Sequence, residues 1–161
     1  MILIALGANL PSASGTPEHT LDATLASLEA RGITVERQSG FYLSEAWPDP
    51  SDPPYVNAVA SVRTALPPAD LLRALHEVEA EFGRKRGARN APRTLDLDLI
   101  DYDGRVEHGD PELPHPRAQD RLFVLVPLAE IAPEWRHPVS GRTVSELIAA
   151  APQAKLTPLA R

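Results

Sequence analysis

Cysteine is absent from this 161-residue chain. That excludes disulfides, thiolate zinc sites and cysteine nucleophiles, and it fits a reducing compartment. Aromatics are scarce: three Phe, three Tyr and two Trp. Each therefore counts as either a core filler or a binding surface. No apolar run approaches the ~20 residues of a membrane span. The run from Ile2 to Leu6 is shorter than the ~7–15-residue core of a secretion signal, and the first basic residue is Arg31. The expectation is a cytoplasmic protein with no membrane contact. Basic residues are outnumbered 16 to 22, for a net charge of -6, which argues against a general nucleic-acid binder with a broad basic face.

What is present is ordinary for a globular domain: 43% hydrophobic and 24% charged residues, enough for one domain spanning 1–161 with a sizeable core. Proline is the exception. Its 17 residues cluster at 48–54, 67–68 and 111–116, where they punctuate loops. No internal repeat or linker divides the chain.

Hydrophobic patterning places the elements. Met1–Leu6 reads as a buried strand, with a turn from Gly7 to Pro11. Thr16-Pro17-Glu18 is a helix start, combining cap, first-position proline and first-turn acid. Leu21, Leu25 and Leu28 share its inner face, and Gly32 stops it. A single strand is expected from Ile33 to Ser44, a proline-rich loop from Ala46 to Pro54, and another strand from Val56 to Thr64. Pro67-Pro68 opens a second helix with Leu71, Leu75, Val78 and Phe82 inward, ending at Gly83. A strand through Leu95–Ile100 follows. The order β-α-β-β-α-β is the ferredoxin-like α+β arrangement, helices against an antiparallel sheet. Residues 102–161 add a loop, an apolar stretch from Leu122 to Ile131 and a helix at Thr143–Ala150. These additions could supply a further strand and cover the other face, giving α-β-α layers.

The most informative stretch is Arg93-Thr94-Leu95-Asp96-Leu97-Asp98-Leu99-Ile100. Alternate strand residues point the same way, so Asp96 and Asp98 share one face while the leucines face a core. Two adjacent carboxylates repel, and strands disfavour them. Hard cations carrying phosphate would remove the conflict, since Mg2+ is held by one or two carboxylates plus substrate phosphates. Just before it, Arg84, Lys85, Arg86, Arg89 and Arg93 fall within ten residues that hold no acid. Arginine forks grip phosphate oxygens, so the pair of segments reads as a polyphosphate clamp.

These residues, with Gly7-Ala8-Asn9-Leu10, Phe41-Tyr42, Tyr55-Val56-Asn57-Ala58, Glu79, Gly83-Arg84, Pro114-His115-Pro116 and Arg121 to Leu128, resemble the 6-hydroxymethyl-7,8-dihydropterin pyrophosphokinases of folate biosynthesis. The resemblance runs from near residue 1 to about 135. It implies transfer of a pyrophosphoryl group from ATP to a pterin alcohol, with AMP leaving. It implies two Mg2+ ions on Asp96 and Asp98, and catalytic arginines Arg84 and Arg93. Glu79, Arg84, Arg86, Arg93, Leu99, His115 and Arg121 would surround the nucleotide. Tyr55 and Phe123 would sandwich the pterin, whose edge Asn57 would read as both donor and acceptor, aided by backbone near Ser44, Ala46 and Trp47. The partners implied are small molecules only, acting on a monomer. Asn90 stands where the family often has tryptophan, Ala91 where it has glycine, and Trp47 where an aliphatic residue is common. The basic loop also reads one residue shorter than in the best-known bacterial members. Two other classes compete: a two-metal nucleotidyltransferase releasing pyrophosphate, and a non-catalytic ferredoxin-like module for nucleotide or RNA. No P-loop or protein-kinase glycine loop occurs.

Overall fold

The computed structural model describes residues 1–11, 15–46, 49–83 and 94–160. The elements run β1 (Ile2–Ala8), α1 (Pro17–Ala30), β2 (Thr34–Gln38), β3 (Tyr42–Ser44), β4 (Tyr55–Arg63), α2 (Pro68–Glu81), β5 (Asp96–Tyr102), a 3-10 turn (Ala118–Asp120), α3 (Leu122–Ile131), α4 (Val144–Ala150) and β6 (Leu156–Pro158). The strands form one antiparallel sheet in the order β5-β1-β4-β3-β6, with β2 also paired to β4. The ferredoxin-like α+β reading holds, and the C-terminal third supplies both the extra strand and the second helical layer. No helix among the described residues is long and apolar enough to cross a membrane.

Side-chain alternation splits the interior into two cores. Ile2, Ile4 and Leu6 of β1, Val56, Ala58, Ala60 and Val62 of β4, and Leu97 and Leu99 of β5 face α1 and α2. Leu3, Ala5, Val59 and Ile100 face the other way, onto Val124, Leu125, Leu128 and Ile131 of α3 and Val144 and Leu147 of α4. The helix starts are as the sequence indicates. The Thr16 side chain accepts from His19 N–H ahead of Pro17, and Thr143 with Glu146 forms a full capping box.

Three details depart from the sequence reading. The expected strand from Ile33 to Ser44 is two strands. The Ser39 hydroxyl accepts the Val59 N–H, the Gly40 N–H is drawn off to Glu130 Oε2 on α3, and Phe41 turns fully into the core. Gly7 and Ala8, read as the start of a turn, continue β1, because Gly7 pairs with both β4 and β5 and Ala8 still pairs with β4. The register of β1 and β5 shifts between Leu3 and Ile4: Leu3 faces Asp101 while Ile4 faces Leu99. Ile100 is the extra residue of this bulge. It sends Asp101 to the α3–α4 side, where Oδ2 accepts from Trp135 Nε1 at 2.8 Å and Oδ1 accepts from Gly104 N–H at 3.0 Å. The strand therefore carries three aspartates, of which this one is structural and buried.

Candidate active site

Helices α3 and α4 cover only part of their face of the sheet. Beside them lies a cleft of about 430 Å³, lined by Ala5, Leu6, Gly7, Ser44, Glu45, Tyr55, Asn57, Asp96, Asp98, Arg117, Asp120, Arg121 and Phe123. Strand pairing sets its floor. Gly7 pairs with Asp96 on one side and Asn57 on the other, and Asn57 pairs in turn with Tyr42. Adjacent strands lie ~4.8 Å apart, so the Asp96 and Asn57 backbones are about 10 Å apart with Gly7 between them. A side chain at Gly7 would stand in the cleft, with its Cβ 3.5 Å from Asn57 Oδ1 and 4.0 Å from Tyr55 Cδ1. Glycine inside a strand commonly marks a close approach by a ligand or another backbone.

One end of the cleft is aromatic and polar-neutral. Asn57 is buried, and its Nδ2 donates to Ser44 Oγ at 2.8 Å, Tyr42 O at 3.2 Å and Tyr55 O at 3.3 Å. Its donor side is thus occupied internally, and the acceptor Oδ1 lies on the Gly7 side. Tyr55 and Phe123 both line this space, and the Arg121 guanidinium lies 5.6 Å from the Phe123 ring centroid. Ala46 is buried close to Ser44 in sequence without lining the cleft.

The other end is charged. Asp96 and Asp98 reach the cleft from β5, with Arg117, Asp120 and Arg121 opposite on the 3-10 segment and the start of α3. His115 Nε2 stands 3.8 Å from Asp98 Oδ1, while its Nδ1 accepts the Arg117 N–H at 3.1 Å. Burial, followed by the positive charge of Arg121, pushes the His115 imidazole down to about 4, despite an opposing pull from Asp96. At neutral pH it is therefore uncharged, and Asp98 and His115 are not an ion pair. The Nδ1 contact assigns its proton to Nε2, facing Asp98. With one nitrogen protonated and the other occupied, His115 has no lone pair to act as a base. Among the described residues no cluster of three or more His, Cys, Asp or Glu could hold a metal. Two hard carboxylates on one face are still the donor set that Mg2+ takes when phosphates complete its shell.

The structure thus brings Ser44, Tyr55, Asn57, Asp96, Asp98, Arg121 and Phe123 into one cleft, with His115 against it. Trp47, Arg84, Arg86 and Arg93 lie outside the described residues. Two residues expected at the nucleotide, Leu99 and Glu79, are not among those lining this cleft. The Leu99 side chain is in the α1–α2 core. Glu79 of α2 is buried. It is 2% exposed, and its Oε2 accepts the Leu97 N–H at 2.8 Å. It thereby holds the edge strand from the α2 side, at the residue between the two aspartates. Glu79→Ala should leave that N–H buried without its acceptor, costing about 1–3 kcal/mol. The check is calorimetric melting, where a Tm drop of roughly 3–10 °C is expected. Glu79→Gln, which keeps an acceptor oxygen, should lose less. Gly7, Glu45, Arg117 and Asp120 were missed by sequence reasoning. The strand glycine and the arginine two residues after His115 were the available signals.

The ferredoxin-like sheet thus carries an aromatic–amide pocket beside paired carboxylates and arginines. Comparison with known proteins gives the class. Residues 3–133 match the family model described as 7,8-dihydro-6-hydroxymethylpterin-pyrophosphokinase. The chain is 45% identical over 148 residues to the 2-amino-4-hydroxy-6-hydroxymethyldihydropteridine pyrophosphokinase of Synechocystis, covering 91% of this chain and 73% of that protein. It is 40% identical to the Pseudomonas aeruginosa protein of the same name, covering 94% and 91%. In fold it resembles the HPPK-DHPS of Plasmodium falciparum, with a TM-score of 0.65 at 12% identity. That likeness covers 92% of this chain and 43% of the longer protein. The chain belongs to the 7,8-dihydro-6-hydroxymethylpterin-pyrophosphokinase family.

Proposed function

We propose that this chain transfers the pyrophosphoryl group of ATP to the hydroxymethyl group of 6-hydroxymethyl-7,8-dihydropterin, releasing AMP, as a step of folate biosynthesis. The observation that carries the reading is the row Asp96–Gly7–Asn57. It sets a carboxylate and a hydrogen-bonding amide two strands apart on a floor without side chains. A heterocycle at one end and a polyphosphate at the other would meet over Gly7.

In this reading Phe123 and Tyr55 stack on the pterin rings, and Asn57 Oδ1 accepts from an N–H on the pterin edge. Arg117 and Arg121 place phosphate oxygens. Arg84, Arg86 and Arg93 complete the grip and help keep out water, the competing nucleophile. Asp96 and Asp98 would hold magnesium, which when bound would neutralise charge on the transferring group. The pterin hydroxyl oxygen attacks the β-phosphorus in line, the bond from the β-phosphorus to the α,β-bridging oxygen breaks, AMP leaves with that oxygen, and the hydroxyl proton passes to solvent. Positioning supplies most of the rate, since phosphoryl transfer asks for little covalent chemistry from the protein. In this reading His115 is neutral and stands on the nucleotide side beside Asp98 rather than serving as the base. The chain would act as a monomer in the cytoplasm, with no nucleic-acid partner.

The test is to incubate the protein with Mg-ATP and 6-hydroxymethyl-7,8-dihydropterin and identify the released nucleotide. AMP formation that needs the pterin and stops with EDTA supports the reading. Released pyrophosphate would mean nucleotidyl transfer, and absence of turnover would overturn the assignment. Phe123→Ala should weaken pterin binding roughly tenfold or more, as loss of ring stacking does. Titration calorimetry should find ATP affinity unchanged, and a selective loss of ATP binding would contradict the stacking arrangement.

A further inference from the structure

We infer that strand β6 is a positioning element for the amide end of the cleft, tuning affinity for the pterin without touching it; this rests on the function proposed above. Residues 134–161 lie beyond the stretch that matches the family model. Within them, Leu156–Pro158 pair antiparallel with β3: Leu156 with Ser44, Thr157 with Leu43, Pro158 with Tyr42. The ladder continues as Leu159 N–H donates to Phe41 O at 2.8 Å, and the Leu159 side chain packs against the α1–α2 core.

What β6 holds is small and consequential. Strand β3 has three residues, too few to keep their place at a sheet edge by their own pairing. Yet β3 provides two of the three acceptors that orient Asn57 Nδ2: the Ser44 hydroxyl and the Tyr42 carbonyl. Ser44 also lines the cleft, and Glu45 follows it there. Loss of β6 would turn β3 into a frayed edge and release the Asn57 amide to rotate. The carboxylate end would not feel this. Asp96 and Asp98 sit on β5, at the opposite edge of the sheet. A general support would affect both ligands, whereas this geometry predicts a split.

The experiment compares the full chain, a chain ending at Gln153, and the full-length Leu159→Pro variant, which keeps its length but lacks the donor to Phe41. Dissociation constants are measured for 6-hydroxymethyl-7,8-dihydropterin and for the magnesium complex of α,β-methylene-ATP, alongside melting curves. Both variants should lose about tenfold in pterin affinity, the equivalent of one ordinary hydrogen bond, while nucleotide affinity stays within about twofold. A synthetic peptide of residues 154–161 should restore pterin affinity to the shortened chain by adding back the edge strand. Retained pterin affinity in either variant, or losses in equal proportion for both ligands (as an unfolded variant would give), overturns the inference. A full-length chain that binds the nucleotide but no pterin would instead sink the proposed function, so the two failures are distinguishable.

Discussion

Replacing Asp98 with alanine is expected to lower kcat by about 10²–10³-fold or more, the loss seen when a preorganised electrostatic contact to the reacting group is removed. Melting temperature should hold or rise. Asp98 is partly exposed at the cleft and shares a strand face with Asp96, so its removal relieves like-charge repulsion without opening a core. Asp98→Asn should behave alike in rate, because it keeps the volume and discards the charge. Steady-state AMP release beside a thermal melt checks both halves, and turnover near that of the unaltered protein would sink the metal assignment. Asp101 supplies an internal control. Its carboxylate is 3% exposed and accepts from Trp135 Nε1 and Gly104 N–H. Asp101→Ala should therefore reduce stability first, leaving the residual folded fraction active.

The second large effect is expected at Gly7. No strain forbids a side chain there, since an added Cβ would meet only ordinary van der Waals contacts, the nearest at 3.5 Å. Gly7→Ala should accordingly stabilise the fold by about 0.4–1 kcal/mol, through the unfolded chain. It should also weaken catalysis, because the methyl group stands on the floor between amide and carboxylates. Gly7→Val should be far worse. A displacement of about 1 Å between reacting groups can cost 10²-fold, and a branched side chain forces at least that. The signature is a variant that melts at or above the parent temperature while kcat/KM collapses. Undiminished kcat/KM in Gly7→Val would show that the two substrates do not meet over this residue.

Sequence order made the sheet and its helices legible because local signals agreed with tertiary ones. The leucines of α1 and α2 repeat on one face, the helix start at Thr16-Pro17-Glu18 is unambiguous, and Asp96 and Asp98 alternate with core leucines. The site was legible where chemistry is unusual for its element, as with two acids in a strand. It was hidden where a partner distant in sequence decides the outcome. The break after Gln38 depends on Ser39 and on Glu130, which is 90 residues beyond Gly40. Glu79 resembles any helix-surface acid until the edge of β5 is placed against it. The bulge at Ile100 follows from pairing with β1 and from the pull of Trp135 on Asp101, neither of which a local pattern contains.

The position of β1 between β4 and β5 has a consequence for how the protein is made. Strand β1 precedes both of its partners in the chain, and these end only at Arg63 and Tyr102. At about 5–20 residues per second, the second edge of β1 waits on the order of ten seconds for its neighbour to be synthesised. Through that interval a nascent chain presents an unpaired apolar strand. The row Asp96–Gly7–Asn57 does not exist until β5 has docked. Docking of β5 is therefore a precondition of catalysis as well as of covering this edge of β1, and a chain stalled before residue 96 would be both inactive and prone to pair with its neighbours.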